Sequence, residues 1–236
     1  WSTLASMVAP ALLTSSPTIA EHLRVGCSTG YMSALRGDWP ALVDEATALS
    51  TDVLELAALS ENELPELVDY LDDCPSLPFQ YLSLHGPSKA LVMPEPDLIA
   101  LLERVSPRVD AIIMHPDSLV DVSAWAVLGR RLVIENMDRR KAVGRTAESL
   151  AGYFDELPEA RLCFDVAHAW AVDESLEEGT RILDRFAGRL RQVHISSLDA
   201  EQHHVPLTEE HEQLFGPLLD RCRDVPWILE AAPRFG

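Results

Sequence analysis

Leu132-Val-Ile-Glu-Asn-Met137 is a short apolar run that ends on a carboxylate, and the same construction recurs along the chain. Tyr81-Leu-Ser-Leu runs into His85 and Ala111-Ile-Ile-Met into His115. Arg161-Leu-Cys-Phe runs into Asp165, with His168 close behind; Arg191-Gln-Val leads to His194 and Ile228-Leu to Glu230. His203 and His204 follow His194 in what reads as a loop, so six of the eight histidines lie at or beyond the end of such a run. If the runs are parallel strands of one barrel, these groups converge on a single mouth. A mouth crowded with imidazole and carboxylate reads as a metal site.

Counting outward from Leu132 gives eight strand-like runs: 23–27, 53–56, 81–84, 111–114, 132–134, 161–164, 190–193 and 227–229. Their starts lie about 20 to 37 residues apart, the length of one strand–helix unit. The intervening segments carry helical periodicity. In Pro40–Leu49 the residues Leu42, Val43, Ala46 and Leu49 form one stripe, with Asp44 and Glu45 facing away. Segments 146–157, 176–183 and 209–222 repeat the pattern. Strict alternation of strand and helix predicts a parallel α/β sheet, and eight units predict closure into a (β/α)8 TIM barrel. An open doubly wound sheet is the alternative, but no G-x-G-x-x-G follows the first run. Seven residues follow the last run, so the eighth helix is expected to be short or missing. With no linker or compositional break, one domain over 1–236 is expected, with 1–22 as an extension outside the core barrel.

Composition narrows the function classes. A hydrophobic fraction of 47% provides for a large core. The net charge of −19 repels phosphate backbones and disfavours nucleic acid as a partner. No apolar stretch approaches the roughly 20 residues that span a bilayer, so no membrane partner is expected. Cys27, Cys74, Cys163 and Cys222 form no C-x-x-C pair, and the first twenty residues lack a basic signal-peptide region. Both features point to a reducing cytoplasm. Association into a homo-oligomer is compatible with the sequence, although no patch in it is marked out.

Barrel enzymes gather their active groups at the C-terminal ends of the strands. Here those ends carry His85, His115, Glu135 with Asn136, Asp165 with His168, His194 and Glu230. Oxygen and imidazole ligands without thiolate suit Mn, Zn, Co or Mg, and clustered carboxylates need cations to neutralise them. Glu55, inside the second run, reads as a barrel-interior acceptor. His22 and His211 read as unrelated to the mouth.

The runs Leu82-Ser-Leu-His-Gly-Pro, Ile113-Met-His-Pro, Val133-Ile-Glu-Asn-Met, Phe164-Asp-Val-Ala-His, Val193-His-Ile-Ser and Ile228-Leu-Glu together resemble the xylose isomerase-like TIM barrel superfamily. That superfamily holds sugar isomerases and epimerases and the endonuclease IV type of apurinic-site endonuclease (AP endonuclease family 2). The likeness to the epimerase branch implies one divalent ion on Glu135, Asp165, His194 and Glu230, with the two glutamates as acid and base. The likeness to the endonuclease branch implies three zinc ions, adding His85, His115, His168 and an Asp-x-His pair after the seventh strand. This chain departs from that pair. Keeping its spacing selects Glu201 and His203, with Glu for Asp; anchoring on His204-Val-Pro-Leu207 selects His204 and leaves Gln202 in the carboxylate position.

The favoured expectation is a divalent-metal-dependent sugar isomerase or epimerase that holds one ion, with two or three as the alternative. Glu135 and Glu230 would transfer the proton, and His168 would orient a substrate oxygen. Asn136, Arg139, Lys89 and Trp170 are the candidates for binding a small polyhydroxylated or anionic substrate. The other expectations are a multi-zinc phosphoesterase acting on abasic-site DNA or a small phosphoester, and a metal-holding scaffold without catalysis.

Overall fold

The structure is a computed structural model that describes residues 23–74, 76–89 and 91–232. The expected extension over 1–22 and the expected end of the eighth unit beyond residue 232 lie outside the described residues. Strands β1 (Val25–Ser28), β2 (Val53–Ala57), β3 (Tyr81–His85), β4 (Ala111–Met114), β5 (Leu132–Glu135), β6 (Arg161–Asp165) and β7 (Leu190–Ile195) are parallel neighbours in sequence order. β8 (Ser197–Leu198) and β9 (His204–Val205) make a small antiparallel hairpin, and β10 (Trp227–Leu229) closes the barrel between β7 and β1.

The outer layer holds α1 (Trp39–Leu49), α2 (Glu63–Asp73), α3 (Glu95–Val105), α4 (Ala147–Glu156), α5 (Val166–Val172), α6 (Glu177–Phe186) and α7 (Glu209–Leu219). Local chemistry starts several of them. Asp38 caps α1 by accepting from Ala41 N at 3.1 Å, with Pro40 in the first turn. Thr146 caps α4 and Thr208 caps α7 in the same way. Each helix lays an apolar stripe on the strands; in α6 it is Ile182, Leu183 and Phe186, beside Gly179.

Strict alternation does not hold everywhere. β4 and β5 are joined by 3-10 turns over Val122–Arg131, interrupted at Gly129 with φ 53°. Glycine at that positive φ ends one helical stretch and lets the chain re-enter the barrel without a full α-helix. Between β6 and β7 two helices, α5 and α6, follow one another. The expected loop after β7 is the β8–β9 hairpin.

Successive side chains of a strand point to opposite faces. Leu54, Leu56, Leu82, Leu84, Ile112, Met114, Leu132, Ile134, Leu162, Phe164, Val193 and Ile195 face the helices in one large core. The opposite parity turns inward. Val53, Tyr81, Ala111, Ile113, Val133, Cys163 and Ile228 pack as a separate cluster along the barrel axis. Two residues further along the strands come Glu55, Ser83, His115, Glu135, Asp165 and Glu230, with His85 two residues past Ser83. One parity rule therefore sets the inner core and the site in a single register. At the N-terminal end, Arg24 and Arg191 lie over the Tyr81 ring, at 5.9 and 5.1 Å from its centroid.

The four cysteines are free thiols, with Cys27, Cys163 and Cys222 buried. No helix among the described residues is long and apolar enough to cross a membrane.

β1 lies against β2 at Gly26, where a Cβ would stand 1.9 Å from Val53 O. The obstacle is backbone, so a strand would have to move. Gly26→Ala is expected to destabilise the barrel by about 1–3 kcal/mol or more. At about 2–4 °C per kcal/mol for a chain of this size, thermal unfolding should show a fall of several degrees.

Candidate metal centre

The strand ends deliver their side chains from separate elements to one point. His85 closes β3 and Glu135 closes β5, while His115 stands one residue past β4. Asp165 closes β6 and caps α5, accepting from His168 N at 2.7 Å, so one turn of chain places both side chains. His194 projects from within β7, beside Asp165 in register. Glu230 follows β10 and ties its backbone N–H to Ile195 O at 3.1 Å.

Glu135 is the hub. Its Oε2 lies 3.2 Å from His85 Nε2 and 3.3 Å from His115 Nε2. Its Oε1 lies 3.3 Å from His168 Nδ1 and 3.3 Å from His194 Nδ1. His194 Nδ1 also lies 3.2 Å from Glu230 Oε1. His204 Nδ1 is 3.2 Å from Glu230 Oε2 and 2.7 Å from Ser196 Oγ.

The donor atoms form three groups, each within 4.8 Å: His85, His115 and Glu135; Glu135, Asp165, His194 and Glu230; and Asp165, His168 and His204. Glu135 and Asp165 are each shared between two groups. A buried polar atom is normally satisfied, yet Asp165 Oδ2, Glu230 Oε2 and His115 Nδ1 have no hydrogen-bond partner. A nitrogen and oxygen donor set with unspent lone pairs fits a divalent ion. Cys163 lies beneath, where burial raises its pKa and keeps the sulfur a neutral thiol.

Burial opposes charge on every one of these groups, and the neighbours decide the outcome. Around Glu135, burial acts to raise the carboxyl, but the imidazoles of His194, His115 and His168 override it and hold the group ionised, well below its ordinary range. Glu230 goes the other way. Burial and the carboxylates of Asp165, Glu135 and Glu55 hold it well above its usual value, against the pull of His194. Burial would lower His168, but Asp165, Glu135 and Glu230 raise it to about 10. His194 is raised by the same kind of surroundings. His204 is lowered to about 4 by burial, with the charges of His168 and His194 adding to it.

Of the two anchorings open after β7, the structure brings His204 to the site. His203 and Glu201 stand at the exposed hairpin turn beside Asp199, with His203 Nδ1 3.3 Å from Asp199 Oδ2. Gln202, between them, has a left-handed backbone with φ 66°. Asn136 spends both ends of its amide on the Asp165 backbone, donating to its carbonyl at 2.9 Å and accepting from its N–H at 2.8 Å. Of the basic run after β5, Arg140 pairs with Asp138 and Lys141 with Asp117, while Arg139 is exposed. Lys89 is exposed on the loop after β3. Trp170 packs on His211 and Phe215, with ring centroids 4.5 and 6.4 Å away.

Sequence reasoning read Glu55 as a barrel-interior acceptor, and the structure places it there, but its partners Ser83 and Gln192 were missed. Glu55, Ser83 and Gln192 are completely buried inside the barrel, joined to Tyr81 and His194 by hydrogen bonds. Their inward parity was the available signal.

The family model for the xylose isomerase-like TIM barrel matches residues 118–232, from the turn after β4 through the end of β10. No curated protein matches the chain at a significant level. Among solved structures, an E. coli 3-keto-D-glucoside 4-epimerase in its apo form aligns with a TM-score of 0.58 at 14% identity, over 90% of this chain and 93% of that one. A sugar phosphate isomerase/epimerase from Parabacteroides distasonis aligns at 0.50 and 11% identity, over 90% and 89%. A xylose isomerase-like TIM barrel protein from Mycobacterium smegmatis in complex with magnesium aligns at 0.51 and 14% identity, over 82% and 81%. At such identities the likeness speaks for the fold. Closed eight-stranded topology and these likenesses agree on a TIM barrel, similar over residues 118–232 to the xylose isomerase-like family.

Proposed function

We propose that the protein is a divalent-metal-dependent isomerase or epimerase of sugars or sugar derivatives. The observation that carries this reading is a pair of buried glutamates with opposed proton affinities. Glu135 and Glu230 lie 3.3 and 3.2 Å from the same His194 nitrogen, the first pushed well below the usual carboxylate range and the second well above it. Two carboxyl groups pushed apart in this way serve as base and acid. Two of the similar structures, a 3-keto-D-glucoside 4-epimerase and a sugar phosphate isomerase/epimerase, support the assignment.

Glu135, Asp165, His194 and Glu230 would hold the ion. When bound, it supplies charge stabilisation to an oxygen next to the carbon that loses its proton. Glu135 accepts that proton on a carboxylate oxygen, and Glu230 delivers one from its carboxyl group to the opposite face. His168, charged and beside Asp165, orients a substrate oxygen. Arg139 and Lys89, exposed on the loops after β5 and β3, suit an anionic substituent.

Incubation in D2O with Mn²⁺ or Co²⁺ across a panel of ketoses and keto-sugars should incorporate deuterium at the carbon beside the carbonyl. Absence of exchange across the panel overturns the reading. Glu230→Gln should lower turnover by about 10²–10⁴-fold with the melting temperature nearly unchanged.

The charged histidines also set a pH dependence. His168 has its pKa raised from 6.5 to about 10 on folding. Its stabilising contribution is therefore fully present below pH 6.5 and lost as pH rises through about 10. Metal-free protein should lose stability across that window, and His168→Gln should flatten the loss, as read by melting temperature against pH in EDTA. Metal uptake displaces these protons, so apparent affinity for Zn²⁺ should rise with pH between 6 and 8.

A second reading, phosphoester hydrolysis at two or three ions, is favoured by the placement of His204. It joins Asp165 and His168 in a third donor group that shares Asp165 with the central one. Metal content of natively purified protein separates the two readings. One ion per chain supports the isomerase, and two or three zinc ions support the phosphoesterase.

A further inference from the structure

We propose that Glu55 is the positioning residue of the metal centre: from inside the barrel it holds the proton of His194 on Nε2, so that Nδ1 is presented to the ion. The inference rests on the metal-site reading above and extends it to a residue one layer below.

The geometry carries it. Glu55 stands on β2, fully buried, with Oε2 3.0 Å from His194 Nε2. The other nitrogen of that ring, Nδ1, faces Glu135 Oε1 and Glu230 Oε1. A neutral imidazole binds a cation through its unprotonated nitrogen. If Nδ1 is to bind, the proton must sit on Nε2, where the carboxylate of Glu55 accepts it.

Glu55 is itself held in place. Tyr81 Oη donates to Gln192 Oε1 at 2.9 Å, which turns the Gln192 amide nitrogen toward Glu55 Oε2 at 2.8 Å. Ser83 Oγ donates to the same oxygen at 3.2 Å. The Gln192 nitrogen also lies 2.9 Å from His194 Nε2, so donors converge on one carboxylate oxygen. A carboxylate sealed among apolar strands is costly unless its charge is used. Glu55 Oε1 has no hydrogen-bond partner, so packing alone does not account for a glutamate here. Partners of this type fix the orientation and tautomer of a ligating histidine, and their loss typically weakens metal binding 10–100-fold.

The test uses Zn²⁺ alone as probe. In ¹⁵N-histidine-labelled, Zn²⁺-loaded wild type, long-range ¹H–¹⁵N spectra should report His194 protonated on Nε2, the signal being assigned by its loss in His194→Gln. Glu55→Gln should bind Zn²⁺ 10–100-fold more weakly in chelator competition, at a temperature where the metal-free variant stays folded. A merely structural role would leave the affinity of the folded protein unchanged. A His194 proton on Nδ1 in the loaded wild type overturns the proposal, and this readout stands even if Glu55→Gln does not fold. Equal affinity of the variant and wild type overturns it as well, leaving the metal centre intact. Absence of Zn²⁺ binding by wild type removes the metal centre, and this proposal with it.

Discussion

Everything at the mouth of this barrel depends on the two-residue period of a β-strand inside a closed sheet. Once Tyr81, Ala111, Val133, Cys163 and Ile228 face the axis, the residues two positions on have no other direction available. Ser83, Ile113, Glu135, Asp165 and Glu230 follow, with His85 and His115 a further step along β3 and just beyond β4. A one-residue slip would exchange a ligand for an apolar neighbour, such as Leu84 for His85, Ile134 for Glu135 or Phe164 for Asp165. The outer core of leucines and isoleucines against the helices forbids that slip. Packing of the outer layer thus sets the geometry of the inner one, while His115, His168, His204 and Glu230 come from the segments just beyond the barrel strands.

That economy has an electrostatic cost. Glu55, Glu135, Asp165 and Glu230 enter a space sealed from water, where like charges repel strongly. Without an ion, the neighbours shift the balance toward protons: His168 and His194 are raised, and so is Glu230. Burial, with the neighbouring charges of His168 and His194 adding to it, lowers His204 to about 4 and keeps it neutral. A divalent ion would take over from the protons. Protons and metal therefore compete for one set of lone pairs, which ties the stability of the site to its loading.

The strands were legible because buried parallel strands are short apolar runs with clear ends, and all eight lie within a residue or two of the expected bounds. The hairpin after β7 was not. Ser197–Leu198 and His204–Val205 are two residues each, too short to carry a period, so which histidine turned inward stayed open. Val122–Arg131 contains helix formers, and its 3-10 turns follow from tertiary closure rather than local preference. Gln192 and Ser83 are ordinary polar residues that acquire meaning only when β7 and β3 meet Glu55 across the barrel axis. Trp170 and Asn136 suggested substrate contact by type, while their neighbours depend on where α7 and β6 pack.

The two glutamates are not equivalent, and the asymmetry bears on the proposed chemistry. Glu135 lies within 3.3 Å of a nitrogen from each of four imidazoles, His85, His115, His168 and His194, so both its oxygens are committed. Glu230 has His194 on one oxygen and His204 near the other, and that second oxygen has no hydrogen-bond partner. It also follows the last barrel strand on a short exit segment instead of sitting within the sheet. Of the pair, Glu230 has the less committed oxygens and the higher proton affinity, while Glu135 is surrounded by imidazoles. In an epimerisation the step that delivers the proton would then belong to Glu230. The opposite step would require Glu135 to exchange an imidazole contact for the substrate proton.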